Sequence, residues 1–181
     1  ALMNMMGRKR PPSTDDPSKS APESTPEIPG VDGLDAAQAA MADLVPSLAQ
    51  LSDTLAKEIG EGKVSINMEP RGLVVSLKEA AFFPPAGDRI EESAYPILQK
   101  IAASAARIPN KILLEGHTDS TPIHNDRFRS NWDLSTARSI AMLTLFGDRF
   151  SLPLSRMSVA GYADTVPVSD NATAEGRQKN R

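Results

Sequence analysis

Asp119 closes the stretch Leu113-Leu114-Glu115-Gly116-His117-Thr118-Asp119. Arg138 closes Asn131-Trp132-Asp133-Leu134-Ser135-Thr136-Ala137-Arg138, 19 positions later. An ionised Asp only accepts hydrogen bonds, whereas Arg offers a planar fork of donors that stays charged. One of each, facing a common space, suits a small zwitterion: the acid takes the ammonium and the fork takes the carboxylate. Charge-assisted bonds of this kind contribute roughly 1.5–3 kcal/mol each. Lys at position 138 would keep the charge and lose the fork. A solvated ion pair or a loop clamp would use the same two residue types, and the spacing leaves those readings open.

Other chemistry has weaker support. His117, Asp119, His124 and Asp126 fall within ten residues and are all metal-compatible types. A zinc hydrolase would need about three of them converging tetrahedrally, with a second layer orienting the imidazoles. Neither His-x-Asp nor the His117 to His124 spacing is a helical ligand pair. His117 suits packing at a strand end, and His124 a solvated loop. Ser135 is better explained as a helix-start residue than as a nucleophile, because no elbow motif surrounds it. The expectation is no catalytic residue, no metal and no cofactor, with a metal-dependent hydrolase as the enzymatic alternative.

The elements that must position these side chains can be read from periodicity. Val64, Ile66 and Met68 alternate with polar residues, Glu69-Pro70-Arg71-Gly72 reads as a turn, and residues 73–77 form the partner strand of a hairpin. Across 88–108, Ile90, Ala94, Ile97, Ile101, Ala102 and Ala105 share one helix face; Pro96 is tolerable only in a first turn, so the helix proper starts near Ser93. Residues 112–115 form the next strand, and the loop from Gly116 to Asn131 presents Asp119. A helix over 133–146, capped by Asp133 or Ser135, buries Leu134, Ala137, Ile140, Ala141 and Leu145. Residues 155–160 form another strand, and 172–181 a short basic helix or turn. Strands separated by helices predict an α+β fold, a two-layer sandwich whose sheet is covered by helices on one face.

Residues 1–33 form a linker: the start turns basic at Arg8-Lys9-Arg10, and 11–33 are dominated by Pro, Ser, Thr, Asp and Glu, the composition of a disordered tether. Over 34–60, Leu34, Ala37, Met41, Leu44, Leu48, Leu51, Leu55 and Ile59 mark an amphipathic helix, with Asp32 or Asp35 at its start and Gly60 at its end. Pro46 predicts a kink or a pair of shorter helices. Such a stripe either packs on the parent domain, pairs with a second copy, or docks and releases to change the tether's reach. Residues 61–181 form the compact domain.

A net charge of −3 and 4% aromatic residues exclude the basic, aromatic-studded surface of a nucleic-acid binder. The absence of cysteine excludes disulfides and thiol chemistry. No apolar run approaches the roughly 18–20 residues needed to span a bilayer.

From Lys63 onward the chain resembles the OmpA-like peptidoglycan-binding domain, and within that family the periplasmic domain of the flagellar stator B subunit, the MotB type. The pieces are Gly72-Leu73-Val74-Val75-Ser76-Leu77, Phe82-Phe83, Glu115-Gly116-His117-Thr118-Asp119, Pro122-Ile123, Ser130-Asn131-Trp132-Asp133-Leu134-Ser135-Thr136-Ala137-Arg138, Gly161-Tyr162-Ala163-Asp164, Pro167, and 175–181. The Ser-Asn-Trp segment and the longer loop around Pro122 favour the stator type. The resemblance implies an OmpA-like sandwich with a βαβαβ-type sheet, and peptidoglycan as partner. It implies that Asp119 and Arg138 hold the diaminopimelate side chain of the stem peptide, with Thr118 and Asn131 lining the pocket. It further implies a periplasmic domain of an inner-membrane-anchored protein, a homodimer, and a stator A-subunit partner reached through a membrane segment. A wall anchor of an outer-membrane protein or lipoprotein is the alternative. Family members usually continue past the Asn-Arg pair into an apolar strand, which makes the 181 end a departure.

Overall fold

The computed structural model describes residues 41–180, the side chain of Gln178 aside. The expected tether, residues 34–40 of the amphipathic stripe, its Asp32 or Asp35 start and Arg181 lie outside the described residues.

Pro46 stands in the first turn of helix α1 (Val45–Thr54), where its missing N–H has no partner to lose. After a break at Leu55 a short α2 (Ala56–Gly60) follows. Leu51 and Leu55 are buried in the domain's own core, with Ile59 packed against it. The Leu stripe therefore faces inward onto this domain. Glu58 on α2 reaches Lys100, Oε1 to Nζ at 2.9 Å, and that bond holds its carboxyl below the ordinary range.

Strands β1 (Val64–Glu69) and β2 (Gly72–Leu77) pair antiparallel in the register Val64 to Leu77 through Glu69 to Gly72. Pro70 and Arg71 make the turn, and Gly72 at φ 128° takes a conformation that costs glycine little. A short turn at 92–94 leads into α3 (Tyr95–Ala105), again with proline in its first turn. Ile90, Ala94, Ile97, Leu98, Ile101 and Ala102 are buried and, with Phe82, Phe146 and Leu152, make the core.

Strand β3 (Ile112–Gly116), helix α4 (Asn131–Thr144) and strand β4 (Met157–Gly161) form a βαβ unit with β3 and β4 parallel, Gly116 opposite Gly161. Among the described residues the four strands pair as two two-stranded ladders, β1 with β2 and β3 with β4, in an α+β arrangement. Two expectations for α4 need correction. Its cap is Ser130, whose hydroxyl accepts from Asp133 N–H, so the helix starts earlier than position 133 and Ser135 lies inside it. Ile140 is 48% exposed, whereas the inward face carries Leu134, Ser135, Arg138, Ser139 and Met142. A hydrophobicity count cannot anticipate a face chosen for its small hydroxyls.

The reason is close approach. A Cβ on Gly116 would stand 2.0 Å from the Ser135 carbonyl oxygen. One on Gly161 would stand 2.2 Å from Thr136 Oγ1. With no side chain at either position, the first turns of α4 sit directly on the β3–β4 backbone. Ser135 and Ser139 satisfy polar groups there: Ala163 N–H donates to Ser135 Oγ, and Ser139 Oγ donates to the carbonyl of Ala160. Beyond Thr144 the helix widens into a π-turn at Leu145–Arg149, and α5 (Ala174–Lys179) closes the described chain, capped by Thr173.

Candidate functional site

The β3–β4 ladder extends past its last regular residues, because Tyr162 N–H donates to Gly116 O and Thr118 N–H donates to Ala163 O. This carries Thr118 and Asp119 to the carboxyl end of two parallel strands, the edge at which ligands bind in parallel-sheet folds. Both are buried, at 5% and 4% exposure. Ala163, with φ 49°, bends the β4 chain across them.

Asp119 organises its own loop. Its Oδ1 accepts from Thr121 N–H and its Oδ2 from Thr121 Oγ1, each at 3.0 Å. Its backbone carbonyl accepts from Thr118 Oγ1 at 2.9 Å and from Asn131 Nδ2 at 3.2 Å, and Asn131 also donates to Thr121 O. Asn131 is the first residue of α4, so its amide ties the Asp119 loop to the helix start. Farther along the loop, Asn125 Oδ1 accepts from the Arg127 and Phe128 N–H groups, and buried Phe128 anchors the segment.

Arg138 lies two turns after Asn131 on the same face of α4, roughly 10 Å along the axis. At 5% exposure it is buried. Its guanidinium belongs to a different set of contacts from the Asp119 loop. Nε donates to Gly87 O at 2.9 Å, Nη2 donates to Glu79 Oε1 at 2.6 Å, and the group lies 5.2 Å from the centre of the Phe83 ring. All three partners come from the segment between β2 and α3, where Glu79 starts a short turn (Glu79–Ala81). Gly87 N–H bonds back to Pro84 O. The structure thus joins Thr118, Asp119 and Asn131 by hydrogen bonds and seats Arg138 in a neighbouring clamp. Sequence reasoning missed Glu79, Phe83 as an Arg partner, and Gly87. They lie 51 to 59 positions from Arg138, and no local pattern links them.

His117, just before the pair, stacks on Tyr162 at 5.3 Å. Burial pushes its pKa below 6.5, while Glu115, 3.8 Å from Nε2, partly opposes this. Glu115 itself takes both carboxylate oxygens to Arg71 Nη1, at 2.7 and 2.8 Å, which ties the hairpin tip to β3. His124 is exposed and its Nδ1 sits 3.2 Å from Arg129 O. Among the described residues no cluster of three or more metal-ligating side chains is assembled.

The OmpA family model matches residues 82–181, more than half of the chain. The chain belongs to the OmpA family. It is 34% identical over 122 residues to motility protein B of Bacillus subtilis, covering 67% of this chain and 47% of that protein. The chain spans about half the length of the first curated relatives it matches. The cell wall anchor of the T6SS from Pseudomonas aeruginosa superposes with a TM-score of 0.65 at 33% identity, over 72% of this chain and 91% of the other. A putative MotB-like protein from Desulfovibrio vulgaris shares the fold at a TM-score of 0.73 and 20% identity, over 81% and 91% of the two chains. The OmpA-like, MotB-like α+β fold expected from the sequence is therefore present. No helix among the described residues is long and apolar enough to cross a membrane.

Proposed function

We propose that this domain binds peptidoglycan without cleaving it, by gripping the zwitterionic diaminopimelate side chain of the stem peptide. Asp119 takes the ammonium and Arg138 the carboxylate, with Thr118 and Asn131 holding the loop that presents the acid. The observation that carries this reading is a buried acid at the carboxyl ends of two parallel strands, tied through its backbone carbonyl to the first residue of α4, and a buried base two turns along that helix. Membership of the OmpA family and similarity to a motility protein and a cell wall anchor support it. In the fuller form of the reading, the domain anchors a flagellar stator unit to the wall from the periplasm, as a homodimer joined to a stator A-subunit through a membrane segment. The similarity to a secretion-system wall anchor favours a second form, a general wall anchor using the same pocket for a different assembly.

Co-sedimentation with purified diaminopimelate-type sacculi tests the reading, using the whole chain, the chain lacking residues 1–40, Asp119→Asn and Arg138→Lys. The parent pellets, and each substitution weakens binding at least about tenfold, the loss expected when one charge-assisted bond goes. Parent protein that stays in the supernatant, with and without residues 1–40, sinks the proposal.

A further inference from the structure

We propose that Glu79 is a positioning residue for Arg138 and thereby sets the site's preference for a ligand that carries a carboxylate. The inference rests on the reading of Arg138 as the carboxylate-holding group. A guanidinium only 5% exposed requires a counter-charge and filled donors, since an isolated buried cation is costly. Glu79 supplies the charge at 2.6 Å, and its own side chain is 17% exposed, so the pair is shielded from water.

The arrangement of donors gives the contact its directional effect. Glu79 takes Nη2, Gly87 O takes Nε, and Phe83 lies against the guanidinium. Nη1, with its two N–H groups, has no hydrogen-bond partner among the described residues. Two bonds on one planar group fix its plane, so they also fix where Nη1 points. A flexible Arg on a helix would sample many rotamers; this one is pre-set, and less ordering entropy is lost when a carboxylate arrives. Glu79 comes from the segment before α3 and Arg138 from α4. The contact therefore couples the ligand group to an element that carries no ligand-binding residue in the sequence motif.

The test measures affinity by calorimetry for two soluble stem peptides, one with diaminopimelate and one with lysine, which lacks the side-chain carboxylate. The variants are Glu79→Gln, Glu79→Asp, Arg138→Lys and the double variant Glu79→Gln with Arg138→Lys, all checked for folding by circular dichroism. Glu79→Gln lowers affinity for the diaminopimelate peptide about tenfold, as loss of a charged hydrogen bond would. It leaves the weaker lysine-peptide binding unchanged, and Glu79→Asp recovers part of the loss. In the Arg138→Lys background the same substitution leaves the ratio of the two affinities unmoved. Equal loss on both peptides reduces Glu79 to fold support and overturns the inference. So does an unchanged ratio, or a gain in affinity, which would make Glu79 a competitor for the guanidinium. Should Glu79→Gln fail to fold, the comparison of Glu79→Asp with the parent on the two peptides decides by the same ratio. A parent that binds neither peptide removes the proposed function itself, and the inference with it.

Discussion

An imidazole stacked on Tyr162 and half withdrawn from water titrates differently in the folded and unfolded chains. His117 has its folded pKa pushed below 6.5 by burial, against Glu115, so the unfolded chain binds the proton more tightly. Stability then falls as pH drops through the window beginning near 6.5, and the loss is complete once pH is below the folded value. His117→Gln should flatten that part of the stability profile, measured by urea unfolding between pH 7.5 and 5. An unchanged slope would show that His117 is not the titrating group. Glu58 acts in a lower window. Lys100 lowers its pKa, so its contribution is present above 4.5 and lost as pH falls further.

Helix α4 presents its residues correctly because the strands beneath it leave room. Gly116→Ala would place a methyl 2.0 Å from backbone oxygen that cannot swing aside. Forcing the helix away should destabilise the domain by about 1–3 kcal/mol, the usual cost of overpacking. It should also separate Asn131 from the Asp119 carbonyl and weaken wall binding beyond the stability loss. Chemical denaturation and sacculus binding of the same protein check both parts. Ser130→Ala is the control at this scale: loss of the cap bond to Asp133 should cost about 1 kcal/mol and spare the packing.

The domain is held as one body by a core to which α1 and α2 contribute. Leu55 is fully buried between these helices and the rest of the core. Leu55→Ala should cost about 2–5 kcal/mol and lower the midpoint of a single cooperative unfolding transition. If it instead gives a second, earlier transition with the main one unmoved, α1 and α2 form a separate cooperative unit. The described part of the Leu stripe packs on the parent domain through Leu51, Leu55 and Ile59. Residues 34–40 of that stripe lie outside the described chain.

The sequence by itself determined the elements: alternation marked the hairpin, the three-to-four spacing marked α3 and most of α4, and Pro96 marked a helix start, whereas Pro46, read as a kink or a junction of shorter helices, stands in the first turn of α1. The motif around Asp119 and Arg138 also named the residues to examine, because acid and base types carry their chemistry wherever they are placed. Tertiary structure decided which side of α4 faces inward. That face is set by two strand glycines, Gly116 and Gly161, which lie 19 and 25 positions from the α4 residues they meet, so hydrophobicity misassigned Ile140 and overlooked Ser139. Tertiary structure also decided what Arg138 touches. A buried cation must be matched by whichever acid the fold delivers, and here that is Glu79, 59 positions earlier in the chain. Local spacing carries no record of such a meeting; only the packing of the segment before α3 against α4 brings it about.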